Sequence, residues 1–411
     1  VQHHRAVATI VAKNHLSFAR ALAESFQCRH PRVPFFVLLA DEAGDYFDPS
    51  REPFQVVELH ELNIPRLERF RFHYSQQPLT YASTPYLLAH LLNRGFTRLV
   101  FVKQESLVLG DLSPVFEILD RTSIVLTPHL VGPLHGPDRI ERELNILQSG
   151  TYNVGMLGVA ATPVAADFLA WWQDCVYAHC RHATPDGMHY EQRWLDLAPG
   201  LFGDVHILRD PAYNVGHWNL PDRAVTVAGD LVLVNGEPCR LFRFSGFDVE
   251  HPSAMTRYSS RLTSDNVGPA RVVFERFRAA LERHGLRETW TWPYAYGAFD
   301  NGVTVPAIAR SMFAEMEDEA AGRFGDPLRT GPGSFFEWIN QGVNVDRGNS
   351  DGAAMLTRLW DAVYRARPDL QRVFPDPSGA DRAAFLAWTT ESGLREHGVS
   401  DCFATAPAAG R

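Results

Sequence analysis

The feature that most constrains this chain is a repeated change of hydrophobic period in its first quarter. Ala6 to Ala12 is a short, β-branched apolar run of the kind that forms a buried strand. Phe18, Ala19, Leu22, Ala23 and Phe26 then recur at helical spacing, Pro31 and Pro34 end that helix, and Phe35 to Leu39 reads as a second strand. Strand, helix and strand at this spacing make a βαβ unit, whose two strands lie parallel. A second unit follows. Thr84 is placed to cap a helix, Pro85 suits its first turn, and Leu87, Leu88, Leu91 and Leu92 form its stripe. Gly95 can close it in a left-handed conformation before the strand Leu99 to Val102. In open α/β sheets the ligand lies beyond the carboxyl ends of the strands. Three polar segments therefore gather at one crevice: Lys13-Asn14, Asp41-Glu42 and Lys103-Gln104-Glu105.

The mixed pattern continues through the middle of the chain. Ser123 to Leu126 reads as a strand, and the polar stretch Gln148 to Asn153 leads into the apolar run Val154 to Val159. Ala165 to Tyr177 is helical. Leu231 to Val234 and Leu241 to Phe244 read as strands joined by a turn at Asn235-Gly236. After about residue 265 the character changes to amphipathic helices: Val272 to Leu281, Ile308 to Met316, Met355 to Tyr364 and Ala383 to Trp388. Loops such as Gly331-Pro332-Gly333 and Pro375-Asp376-Pro377 separate them. The expected organisation is a nucleotide-binding α/β region over 1–264 and a mainly helical extension over 265–411. Two aromatic clusters in that extension, Trp290-Thr291-Trp292-Pro293-Tyr294 and Phe335-Phe336-Glu337-Trp338, are candidates for acceptor binding or assembly, with simple packing as the alternative.

Composition narrows the function classes. Hydrophobic residues make up 45% of the chain and charged residues 21%, which is globular usage and excludes a disordered chain. A net charge of −9, with no long basic run, argues against nucleic acid as a partner while leaving room for a local basic pocket. No apolar stretch approaches the ~20 residues that span a bilayer, and the opening residues do not read as a secretory leader. Five cysteines in no CxxC pair fit a reducing, cytoplasmic setting. Cys175, His179, Cys180 and His182 suggest a metal cluster at first sight, but they read better as part of a helix with a buried stripe.

The segment Leu99-Val100-Phe101-Val102-Lys103-Gln104-Glu105-Ser106-Leu107-Val108-Leu109-Gly110-Asp111-Leu112 resembles the central motif of GT-A-fold glycosyltransferases. The likeness is greatest to the bacterial, retaining galactosyltransferase- and glycogenin-like group. Four more segments agree in the family's order: Tyr81 to Leu88, Gly150 to Gly155, Glu191 to Leu195, and Phe242 to Phe247. The resemblance covers roughly residues 6 to 260. It implies a Rossmann-like core with a mostly parallel sheet, a nucleotide-sugar donor, and a glycan, protein or small-molecule acceptor. In the family, an Asp-x-Asp motif and a later His hold a divalent cation. Those positions are Lys103, Glu105 and Arg243 here, and neither ammonium nor guanidinium has a lone pair to offer a metal. The expectation is an enzyme that needs no divalent metal. A degenerate fold that binds nucleotide or glycan without catalysis is the alternative.

The residues themselves leave choices open. Lys103 and Glu105 point the same way on an extended segment, either as a surface ion pair or as a cationic seat for a diphosphate. Arg243 faces solvent or forks onto phosphate oxygens. The resemblance places Glu191 and Gln192 opposite the leaving group, where one or the other would stabilise an oxocarbenium-like transition state; a plain helix N-terminus is the alternative. The nucleotide and sugar are expected to meet Thr9, Lys13, Asn14, Asp41, Glu105, Asn153 and His217. Asp41, Asn153 and His217 also have bland readings, as a solvated acidic turn, a turn cap and a structural histidine.

Overall fold

The computed structural model describes residues 4–251, 253–343 and 356–404. They divide into two compact units, one comprising residues 1–64 and 77–294, the other residues 65–76 and 295–411.

The first unit is built on a seven-stranded sheet. Its strands are β1 (Arg5–Val11), β2 (Phe35–Leu39), β3 (Gln55–Glu58), β4 (Arg98–Val102), β6 (Ile124–Pro128), β7 (Tyr152–Ala160) and β10 (Val205–Ile207), with order β10-β6-β7-β4-β1-β2-β3. β1 pairs parallel with both β2 and β4, β2 with β3, and β10 with β6. β7 alone runs antiparallel, between β4 and β6. The α/β class with a mostly parallel sheet, expected from the alternating periods, is the architecture observed. All residues of β7 are buried; its alternation is suppressed because both faces are covered.

Smaller pairings frame the sheet. β5 (Ser106–Val108) pairs antiparallel with β14 (Leu241–Arg243). β11 (Val225–Ala228), β12 (Leu231–Val234) and β13 (Glu237–Pro238) form a meander, and β8 (His182–Ala183) with β9 (Met188–His189) a short hairpin. The turn at Asn235-Gly236 therefore joins β12 to β13, not to β14 as the sequence suggested. β14 finds its partner 133 positions upstream, with Leu241 across from Val108, a pairing that no local signal encodes.

The helices of this unit bury the stripes their spacing predicts. α1 (Leu16–Gln27) lays Leu16, Ala19, Leu22, Ala23 and Phe26 on the sheet. Counting α2 (Leu67–His73) and α3 (Gln76–Ala82), the next is α4 (Thr84–Asn93), which buries Leu87, Leu88 and Leu91 and stops before Gly95 at φ 95°. Thr84 does not cap α4. It is the first helical residue, preceded by the helical Ser83, and its hydroxyl is buried without a partner. α5 (Ser113–Leu119), α6 (Arg139–Ser149), α7 (Pro163–His179) and α8 (Ala198–Leu201) follow. The stretch containing Cys175 lies in α7, and Cys180 beyond its end is buried with its thiol toward the Pro78 carbonyl at 3.6 Å.

The boundary expected at residue 264 falls inside the first unit. α9 (Arg271–Arg283) turns Val273, Phe274, Phe277, Ala280 and Leu281 into a second apolar cluster with Phe18 and Ala21 of α1 and with Phe242 and Phe244. The Phe277 and Phe244 rings stack at 3.9 Å, 3° from parallel. Trp292 stacks on Phe47 at 6.0 Å, so this part of the aromatic run serves packing.

The second unit is helical, as expected for the later residues, with helices that include Ala307–Ala314, Phe335–Asn340, Arg358–Ala366 and Arg382–Trp388. Met355 lies outside the described residues. Phe72 of α2 is fully buried against Phe313, at 5.1 Å, and Phe335, at 5.5 Å. Buried Arg310 donates to the carbonyls of Phe72, Tyr74 and Tyr296, satisfying groups a helix end leaves open. Phe335 is thus a core residue here, while Phe336 and Trp338 are half-buried and Glu337 is exposed. Among the described residues, no helix is long and apolar enough to cross a membrane.

The stacked pair gives a direct test of where the first unit ends. Phe277→Ala should cost about 3–5 kcal/mol in denaturant unfolding, the cost of emptying a buried phenylalanine site. An unchanged midpoint would mean that α9 is an appendage.

Candidate functional site

β4 leaves the sheet at Val102, and the next three residues carry the charge. Lys103 and Gln104 are buried, and Glu105 is half-buried before the chain re-enters β5. β14 runs back along β5 in a register that sets Arg243 opposite Ser106. Arg243 is 2% exposed and donates from Nη1 to the Ser106 hydroxyl at 3.0 Å, while its Nε has no partner. The topology therefore brings Lys103, Glu105 and Arg243 together, although 138 residues separate the last two.

These three open onto a cavity of about 1040 Å³, in the size class of ligand sites. Glu191, Gln192, Asn153 and His217 also line it. Sequence reasoning paired Lys103 with Glu105. The structure instead pairs its ammonium with Glu191, Nζ to Oε1 at 2.7 Å, with the carboxylate side chain 1% exposed. The second carboxylate oxygen, Oε2, is buried without a hydrogen bond. Gln192 donates from Nε2 to the Ser149 carbonyl at 2.8 Å, which fixes its amide at the wall. Tyr190, just before this pair, sits at φ 49°, a left-handed conformation that costs a side-chain-bearing residue about 1–2 kcal/mol.

A tightly packed polar knot supports the Arg243 side. Asn153 is engaged at both ends: Oδ1 accepts from the Gly155 amide at 2.6 Å, and Nδ2 lies 2.7 Å from His129 Nε2. These bonds fix its orientation in the cavity wall. Asn214, at φ 50°, leaves its Oδ1 buried and unpaired. A side chain on Gly155 would place Cβ 2.2 Å from Asn153 Oδ1, 2.7 Å from Arg243 Nε and 2.9 Å from Asn214 Oδ1. Only glycine leaves that space open.

Burial sets the protonation of this wall. It raises the Glu105 carboxyl above the usual range, against the opposing pull of Arg243, Lys103 and Arg257. It lowers Arg243, with Glu105 opposing. It pushes His217 down to about 4, helped by Arg243, and His189 to about 4, helped by His182 and Lys103. His129 falls to about 3, chiefly by burial. The site therefore presents neutral imidazoles beside fixed cations at neutral pH.

Four expected residues are not in the cavity wall. Lys13 and Asp41 are buried and engage each other: Lys13 Nζ donates to Asp41 Oδ1 at 3.1 Å and the Lys13 amide to Oδ2 at 3.1 Å. Asp41 Oδ1 also accepts from the Glu42 amide. Asn14 Oδ1 lies 2.8 Å from His15 Nδ1. Thr9 is fully buried in β1 with its hydroxyl unpaired. Lys13, Asn14 and Asp41 follow strand ends as expected and Thr9 lies within β1, but all four are outside this wall. Sequence reasoning missed Tyr81, His129, His189, Asn214 and Arg257. Tyr81 lay inside a segment that was singled out, but no spacing announces which atoms converge.

The three side chains Lys103, Glu105 and Arg243 do not make a donor set that fits a divalent cation. Lys103 and Arg243 are cations, and Glu105 is the remaining acceptor of the three. Among the described residues no three His, Cys, Asp or Glu side chains group as a metal site would require.

No family model matches the sequence. Two Bacillus subtilis proteins are similar to it. The uncharacterized protein YfnF is 25% identical over 257 residues, covering 59% of this chain and 82% of the relative. The uncharacterized protein YfnD is 23% identical over 248 residues, covering 58% and 76%. Among solved structures, the chain is similar to the galactosyltransferase LgtC in complex with donor and acceptor sugar analogues, at 16% identity and a TM-score of 0.42. That match covers 67% of this chain and 95% of the other. It is also similar to the Streptococcus pneumoniae glycosyltransferase GlyE, at 13% identity and a TM-score of 0.39, covering 72% and 67%.

Two measurements check the wall. Gly155→Ala should displace the Arg243 guanidinium and lower ligand affinity at the cavity at least ~10-fold, because the added methyl overlaps three polar atoms in a close-packed interior; unaltered affinity would show that the knot yields. Below pH 6.5 the unfolded chain gains protons that buried His129 refuses until about 3. Stability present above pH 6.5 should then be lost as the pH falls toward 3. His129→Gln should flatten that part of the profile, and an unchanged slope would count against a buried neutral ring.

Proposed function

We propose that this chain is a GT-A-like glycosyltransferase that moves a sugar from a nucleotide-sugar donor to an acceptor without a divalent cation. One observation carries the reading: two cations, Lys103 and Arg243, stand on one cavity where the resembled family holds its metal, beside the Glu191-Gln192 pair. When the glycosidic bond breaks, negative charge grows on the leaving diphosphate, and something must meet it. A buried ammonium and guanidinium supply fixed positive charge and several donors, which in a water-poor site act as preorganised stabilisation.

The same reading assigns the sugar end. The charge of Glu191 is matched by Lys103 at 2.7 Å, so the amide oxygen of Gln192 is our candidate to face the developing positive charge at the anomeric carbon. The nucleotide would lie along the edge where β1, β2 and β4 end, which places Lys13, Asn14 and Asp41 below it as supports. The closed Lys103–Glu191 pair also suits a protein that binds nucleotide or glycan without turnover, and the following experiment separates the two.

The protein is incubated with a panel of nucleotide sugars, with and without chelator, and release of free nucleotide is followed. We expect turnover that chelator leaves unchanged, and a loss of about 100- to 1000-fold in Lys103→Ala and in Arg243→Ala. Activity abolished by chelator and restored by manganese or magnesium would refute the metal-free reading. Binding without release for every donor would favour the non-catalytic one.

A further inference from the structure

Of the 39 lysines and arginines in the sequence, two are lysines, Lys13 and Lys103. A chain that otherwise carries its positive charge on arginine has placed both lysines in matching surroundings. Each follows a strand at the same sheet edge, since β1 and β4 are parallel neighbours. Each is buried, at 2% and 8% exposure. Each ammonium meets a buried carboxylate and a tyrosine ring. Lys13 Nζ lies 3.1 Å from Asp41 Oδ1 and 5.2 Å from the Tyr46 ring centre. Lys103 Nζ lies 2.7 Å from Glu191 Oε1 and 3.6 Å from the Tyr81 ring centre.

The Lys103 arrangement is the tighter one and the one on the cavity. The Tyr81 ring is fixed from two sides: its hydroxyl lies 3.0 Å from Gln77 Nε2, and the Tyr190 ring packs edge-on at 5.2 Å. Burial first, and then Glu105 and Glu191, hold its phenol protonated, so the ring offers the face of a neutral aromatic. An ammonium has three donors in a compact head. One direction goes to Glu191 and one to the ring face, which leaves one for the cavity.

We propose that Tyr81 and Glu191 are positioning residues that seat the Lys103 ammonium at the cavity, and that the seat accepts lysine and not arginine. A guanidinium can also stack on a ring and fork onto a carboxylate, but it does so as a wide plane on a longer stem, so it would not keep a compact head 2.7 Å from Glu191 and 3.6 Å from the ring centre with a donor left for the cavity. The seat deepens the reading of Lys103 as the charge that meets a diphosphate, and rests on that reading for its purpose but not for its existence.

The sequence makes the test unusually clean. Selective 13C labelling of lysine side chains in the full protein gives two sets of ε-methylene signals, assigned with Lys103→Ala. The Lys103 signal should be shifted upfield by the Tyr81 ring, keep that shift in Tyr81→Phe, and lose it in Tyr81→Leu while the Lys13 signal stays. Binding of UDP, GDP and dTDP is then measured by calorimetry. Tyr81→Leu should weaken binding of whichever diphosphate the wild type prefers by about 30-fold, the size of a desolvated cation–π contact. Tyr81→Phe should bind as the wild type does, and Lys103→Arg should lose as much as Lys103→Ala. In the Lys103→Ala background, Tyr81→Leu should cost nothing further, because the two changes remove one interaction. Additive losses, an unshifted Lys103 signal in the wild type, or full function in Lys103→Arg would each overturn the seat, the last whether or not the Tyr81 variants fold. A shifted signal that follows Tyr81 as stated, in a protein that binds none of the three diphosphates, would support the seat and refute the functional reading instead.

Discussion

The position of β4 between β1 and β7 is the constraint on which the site depends. Parallel pairing to β1 aligns the carboxyl ends of both strands at one edge, and antiparallel pairing to β7 covers the other side of β4 with a fully buried strand. A charged segment that leaves such a strand cannot simply turn into solvent. Lys103 and Gln104 are still buried, and a buried ammonium must be paired or lose its charge. Glu191 answers that demand from a segment 88 residues away. The ion pair is therefore a consequence of sheet order first and a chemical device second.

The same logic places Arg243. β5 follows the charged segment within one residue, and pairing with β14 puts a guanidinium over the exit of β4. Burying it is expensive, and the structure meets the cost only in part. Its Nε, the Asn214 amide oxygen and Glu191 Oε2 are all left without partners. Buried polar atoms are seldom orphaned, and here Arg243 and Glu191 line the cavity with the left-handed Tyr190, while the Asn214 oxygen and the Arg243 Nε face Gly155 behind it.

Much of this was legible in the residues. The alternation of period-2 and helical spacing near the start specified the βαβ units, because burying one face is a local demand that local spacing satisfies. Lys103, Glu105, Glu191, Gln192 and Arg243 were all singled out, and the structure brings them to one cavity. Less legible were the partners. Lys103 could be matched to Glu105 two positions on but not to Glu191, and nothing in a sequence says that His129 and the Gly155 amide orient Asn153. The unit boundary was misplaced for a similar reason. α9 looks like the first helix of an extension by composition, and its apolar face happens to be the complement of Phe18, Phe242 and Phe244.

By itself, then, the sequence determined which segments would be strands and helices in the core, and which few side chains were too polar for their surroundings to be idle. Both follow from interactions between residues close along the chain. Tertiary structure decided what those side chains are bonded to. It paired Lys13 with Asp41 and left them outside the cavity wall, paired Lys103 with Glu191 over the ring of Tyr81, and laid β14 on β5 rather than on β12. Each of these pairings joins segments at least 28 residues apart, where the choice of partner is made by sheet order and burial and leaves no trace in local spacing.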